Sequence, residues 1–182
     1  MIEAPTYESL CRKLKSGFFL DRKVPRGNGN SSNMLHNFIV APSYNNFVER
    51  ISVPLFNKVK MVGILFCQPS HRLSKEEIVN NIKYYHHRSG SNIDFYCSGY
   101  GAYWNASEYR DMQQVCKVDN VEWYFSSFAF NKFREEMEQR SKWRYGGEVE
   151  LLLLNAKLDK DGKRVFLDMT SSIVCNLDEH QL

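Results

Sequence analysis

The sequence has no Cys-x-x-Cys pair: its five cysteines, Cys11, Cys67, Cys97, Cys116 and Cys175, are odd in number and widely spaced. That spacing excludes a disulfide framework as the basis of the fold. No apolar run approaches the roughly 18 residues that a membrane-spanning helix needs. The start, Met1 to Pro5, has neither the basic residues nor the apolar core of a secretory signal. A reducing cytoplasm is therefore the expected location, and the sequons at Asn30 and Asn105 are read as coincidence. Charge of one sign is not concentrated either. The net charge of +3 is the balance of 24 basic and 21 acidic residues, interspersed along the chain, and the isoelectric point is near 8.5. A dedicated nucleic-acid binder carries a basic stripe, so nucleic acid is not an expected partner. Only Arg12, Lys13, Lys15, Arg22, Lys23 and Arg26 are locally basic, partly offset by Asp21, and they read as a solvated face.

What is abundant is aromatic: 12 Phe and 10 Tyr in 182 residues, within a composition that is 43% hydrophobic. A chain of this length buries roughly 70% of its unfolded surface, enough for one core without covalent staples. One domain over residues 1–182 is expected, with 1–33 forming a flanking helix and a mobile loop. Tyr7, Leu10, Cys11 and Leu14 repeat at helical spacing. The stretch from Pro25 to Asn33 concentrates turn residues. Phe38-Ile39-Val40 reads as a short strand, and Pro42 and Pro54 interrupt anything longer.

The clearest pattern begins at Met61, where seven apolar residues to Cys67 describe a strand buried on both faces. Ser74 and Glu77 have capping-box spacing and predict a helix with Ile78, Ile82 and Tyr85 inward, closed by Arg88-Ser89-Gly90. Ile93–Cys97 is a second strand, and the intervening helix implies a right-handed parallel crossover. A short helix is expected around Tyr109–Cys116, a strand at Val121–Phe125, and a helix capped by Ser126 or Ser127 with Phe130, Phe133 and Met137 inward. Glu136 and Arg140 are spaced for an ion pair on that helix. A strand at Glu148–Leu154, read as parallel to the first two, turns at Asp159–Gly162 into Val165–Leu167 as an antiparallel hairpin. Residues 171–177 read as strand or short helix. The expected fold class is α/β: a three-layer sandwich with a mixed, mainly parallel sheet, a Rossmann-like β-α-β core and a C-terminal antiparallel hairpin.

In open α/β sheets ligands bind beyond the carboxyl ends of the strands. That rule selects Cys67 to His71 and Cys97 to Gly101. Gly99 and Gly101 would let backbone approach an anion, Tyr100 would stack, and Ser70 and Ser98 would donate hydroxyls. The expected function is a ligand-binding or regulatory module for a nucleotide-like or other anionic small molecule. A different class of reading is a small hydrolase or transferase with Cys67 as nucleophile and His71 as base. A third is a non-catalytic subunit that meets a protein partner through an aromatic surface, Trp123 to Phe133 with Trp143 and Tyr145. Cys67, His71, Cys97 and His86 are suitable metal ligands by type, but none has the paired short spacing of a structural zinc site, so no metal is expected. His86-His87-Arg88 reads as a helix end. Glu148 and Glu150 share one face of their strand. In a parallel strand they lie opposite the ligand rim and pair with Lys142 or Arg144; in an antiparallel strand they move onto it.

Overall fold

The computed structural model describes residues 5–25, 48–81, 93–102, 104 and 107–178. The expected loop at 26–33, the Phe38–Val40 strand, and Ile82, Tyr85, His86, His87 and the helix end at 88–90 lie outside the described residues.

Helix α1, Tyr7–Lys15, opens on a reciprocal cap in which the Thr6 hydroxyl accepts from Ser9 N–H and the Ser9 hydroxyl accepts from Thr6 N–H. Leu10 and Leu14 form its buried stripe. A short 3₁₀ turn leads into β1, Phe19–Pro25, which pairs antiparallel with β2, Val48–Pro54. Then follow β3, Val59–Phe66, β4, Ile93–Cys97, β5, Tyr100–Ala102, β6, Gln113–Val118, and β7, Val121–Phe125. Helix α2, Ser127–Arg140, starts where the Ser126 hydroxyl accepts Ala129 N–H, as its sequence predicts. The chain closes with β8, Glu150–Leu158, and β9, Val165–Asn176.

The strands form three sheets: β1-β2, β4-β3-β8-β9 and β5-β7-β6. In the four-stranded sheet, Val62, Ile64 and Phe66 of β3 share a buried face with Leu152, Leu154 and Ala156 of β8 and Leu167 of β9, in one core with Leu10 and Leu14 of α1 and Phe130, Phe133 and Met137 of α2. Phe66 is the hub, its ring 4.5 Å from Trp143, 5.9 Å from Phe133 and 6.0 Å from Phe130. Burying one such ring stabilises the fold by about 1.5–3 kcal/mol. On the opposite face of β3, the Phe95 ring lies across Gly63, where a Cβ would stand 2.6 Å from it.

The parallel contact of β3 and β4 is present, with Met61 opposite Ile93 and Leu65 opposite Cys97. It is the one parallel pairing among the described strands, and it does not extend into a doubly wound sheet. The expected α/β three-layer sandwich with a Rossmann-like core is therefore overturned: the fold is mainly β, with mixed and antiparallel sheets. The main reason is β8, expected to be parallel, which enters from the carboxyl end of β3 and runs antiparallel, Phe66 opposite Glu150 and Val59 opposite Lys157. Residues 113–118 form strand β6 where a helix was expected, because their backbone finds partners in β7 across the tight turn at Asp119-Asn120, both left-handed.

Two local expectations also fail. Ser74 does not cap its helix: Lys75 N–H already donates to the His71 carbonyl, and Ser74 sits fully buried inside a wide π-type turn, Ser74–Val79. Glu136 and Arg140 form no ion pair; Arg140 donates instead to the Glu136 backbone carbonyl at 3.1 Å. The Glu136 carboxylate accepts the Tyr7 N–H at 2.8 Å, while the Arg140 guanidinium lies 4.3 Å above the Tyr7 ring.

Candidate functional site

The reversed direction of β8 decides which residues meet. Phe66 at the end of β3 stands opposite Glu150 at the start of β8, and Glu150 stands opposite Asn176 at the end of β9. The segments just beyond these three residues leave one edge of the sheet together: 67–71 after β3, 146–149 before β8, and 177–178 after β9.

His71, Glu148 and Asp178 converge there. His71 Nε2 lies 3.3 Å from Glu148 Oε2 and 3.5 Å from Asp178 Oδ2, and the three ligand atoms all lie within 4.8 Å of one another. The His71 backbone and the Asp178 carboxylate are both anchored. His71 N–H donates to the Gln68 carbonyl in the turn that opens the helix. Asp178 Oδ2 accepts Val149 N–H at 2.8 Å, and the Val149 carbonyl accepts Leu177 N–H, so β8 and β9 remain paired up to the site. The side chains are 33% (His71), 52% (Glu148) and 20% (Asp178) exposed, so the group opens outward. His71 Nδ1 is buried, without a hydrogen-bond partner among the described residues.

A second carboxylate layer lies beneath. Glu150 is 5% exposed and accepts the Trp143 indole N–H at 2.8 Å and Gly146 N–H at 2.6 Å. Burial first, then Glu150, Cys67, Glu148 and Asp178, push the Tyr145 phenol up to about 12. Two carboxylates beside an imidazole, backed by a third, make a negative, partly open cleft that suits a cation.

The residues nominated from sequence fall into two groups. Ser70 is exposed on the loop that carries His71. Cys67, Ser98, Gly99, Tyr100 and Gly101 are buried. The Cys67 thiol meets the Tyr100 hydroxyl at 3.9 Å and lies against Ser74, and burial pushes it up to about 11. The imidazole turns instead to Glu148 and Asp178. Tyr100, 4% exposed, packs on Phe125 at 5.0 Å, and burial raises its phenol. Burial, then neighbouring Cys67 and Cys116, also raises Cys97. The Ser98 hydroxyl donates to the Phe130 carbonyl at 3.4 Å. Gly99 is left-handed at φ +76° and sits against Phe130, and the Trp104 ring covers Gly101.

The antiparallel alternative considered for β8 brings Glu148 onto the rim. Glu150 faces inward to Trp143, and Arg144 donates to the carbonyls of Glu138, Ser141 and Trp143. Asp178 was not foreseen from the sequence; a lone carboxylate after an ambiguous segment has no spacing signal. Of the aromatic residues weighed as a partner surface, only Phe128 is exposed, at 65%. Among the described residues, no helix is long and apolar enough to cross a membrane. Comparisons with protein-family models, with curated proteins and with solved structures give no match.

Proposed function

We propose that this chain is a cation-dependent binding module: His71, Glu148 and Asp178 hold a divalent metal ion, and the ion's open positions take an anionic small molecule. The observation that carries the reading is the spacing of the ligand atoms. A tetrahedral ion with arms of about 2.1 Å separates its ligands by about 3.4 Å. The two imidazole–carboxylate distances, 3.3 and 3.5 Å, already match that edge.

Ligand type narrows the ion. One imidazole and two carboxylates, with no thiolate among them, suit zinc, manganese or ferrous iron rather than a soft ion. Three protein ligands leave at least one position open, and hard divalent cations held by few carboxylates complete their shells with water and with phosphate or carboxylate oxygens. The outward opening at Glu148 and the exposed hydroxyl-bearing Ser70 leave room for such a group.

Thermal unfolding of the chelator-stripped protein tests this. Zinc or manganese at 100 times its dissociation constant adds about 2.7 kcal/mol, and inorganic phosphate adds a further rise only when the metal is present. Asp178→Asn can still accept the Val149 amide and keeps the fold, yet loses the metal effect. An equal metal-induced rise in Asp178→Asn and Glu148→Gln would overturn the proposal.

A further inference from the structure

The other end of the four-stranded sheet carries a feature that the metal edge does not use. An open groove of about 680 Å³ lies where the last turn of α1, the start of the β1–β2 ribbon and the β8–β9 turn come together. Its polar lining is Arg12, Lys15, Ser16, Asp21, Ser52 and Lys163, brought from three separate parts of the chain. β8 spans nine residues, so the groove stands roughly 30 Å from the His71 edge.

We propose that this groove is a second anion site, fitted to a small molecule with two or more phosphate groups. The cations in it are uncommitted. Among the described residues, Lys163 has no carboxylate partner, and the Lys15 ammonium has only the face of the Phe19 ring, at 5.7 Å. Arg12 has a loose contact of 3.7 Å with Glu8, both side chains mostly exposed; such pairs contribute little and yield to a better acceptor. Asp21, the one carboxylate in the lining, already accepts the Ser52 hydroxyl.

Cations at a helix C-terminus have an ordinary explanation, since they offset the negative end of the dipole. That end amounts to about half a charge. Together with Asp21 it offsets about half of the charge of Arg12, Lys15 and Lys163, leaving the lining net positive by about one and a half charges, and Lys163 comes from outside the helix. The hairpin holds Lys163 in place: Asp159 accepts the backbone N–H of Lys163 and Arg164 as well as the Arg164 side chain, and Gly162 turns at φ +67° beside Phe56. Arg164 is thereby engaged, while the Lys163 ammonium has no carboxylate partner among the described residues. The volume falls within the roughly 300–1,000 Å³ range of small-ligand sites, which favours a compact polyphosphate over a nucleic acid.

Calorimetric titration of the full chain with inorganic triphosphate, at low ionic strength and with chelator present to empty the metal edge, tests the site. Saturable binding of one triphosphate is expected. Lys15→Ala/Lys163→Ala, both at exposed positions, weakens it by about tenfold or more, and Lys15→Arg/Lys163→Arg largely restores it. Absence of saturable binding, equal affinity in the alanine variant, or binding of oligonucleotides without triphosphate would each overturn the proposal.

Discussion

Trp143 donates its indole N–H to the buried carboxylate of Glu150 at 2.8 Å, and Gly146 N–H donates to the other oxygen at 2.6 Å. The bonds tie the loop after α2 to the first residue of β8, directly behind the edge that carries His71. Glu150→Ala leaves the buried Trp143 indole N–H unsatisfied and frees the exposed Gly146 N–H, and is expected to cost about 1–3 kcal/mol. Urea unfolding followed by Trp fluorescence measures the loss, and a change below half a kilocalorie would show that the loop holds without this carboxylate.

Cys67 should be chemically quiet. A thiol pushed up to about 11 is ionised about 100-fold less near neutral pH than an ordinary thiol with a value near 9. Alkylation of the native protein, mapped by peptide mass, is expected to modify Cys67 and Cys97 more slowly than Cys11, Cys116 and Cys175, with full reaction only after unfolding. Rapid modification of Cys67 in the native state would instead support Cys67 as a nucleophile.

The same shifts set the alkaline limit of stability. Cys67, Cys97 and Tyr100 all have folded-state values above the ordinary ones, so the folded chain binds more protons than the unfolded one as pH rises. Their contribution is complete well below the unfolded thiol value of about 9 and declines as pH rises through it. Thermal midpoints should therefore fall from about pH 8.5 upward, and less steeply in Cys67→Ala.

At the acid end the sign reverses. Lys157 at 2.6 Å, followed by the Thr170 hydroxyl and amide, holds Asp168 well below the usual carboxylate range. Its contribution is present above about pH 4 and is lost as pH falls through the lowered folded value. Asp168→Asn should flatten the acid limb of the stability profile while leaving the alkaline limb unchanged.

Strand positions were legible where side-chain chemistry is local. The continuous apolar run of β3 and the short apolar β4 announced themselves, and their pairing places Met61 opposite Ile93. So did α2, because Ser126 caps it and Phe130, Phe133 and Met137 point inward. Strand direction was not legible. The pattern Glu148 to Leu154 reads the same whether β8 runs parallel or antiparallel, and the choice is made by where the chain returns after α2. Ser74 and Glu77 had capping spacing, but burial of Ser74 against Cys67 places it inside the helical turn. Residues 113–118 became a strand only because β7 offers edge groups to pair with. The site followed the same division: His71 and Glu148 were visible as residue types, but their meeting depends on strand direction. Asp178 gains its role only once β9 continues to Asn176.

Whether His71, Glu148 and Asp178 share one metal ion is read from anomalous scattering by a crystal soaked in zinc or manganese. A shared ion gives a peak about 2.0–2.3 Å from His71 Nε2 and from an oxygen of each carboxylate, absent in His71→Ala. Ordered side chains at this edge with no peak between them at millimolar metal would contradict it.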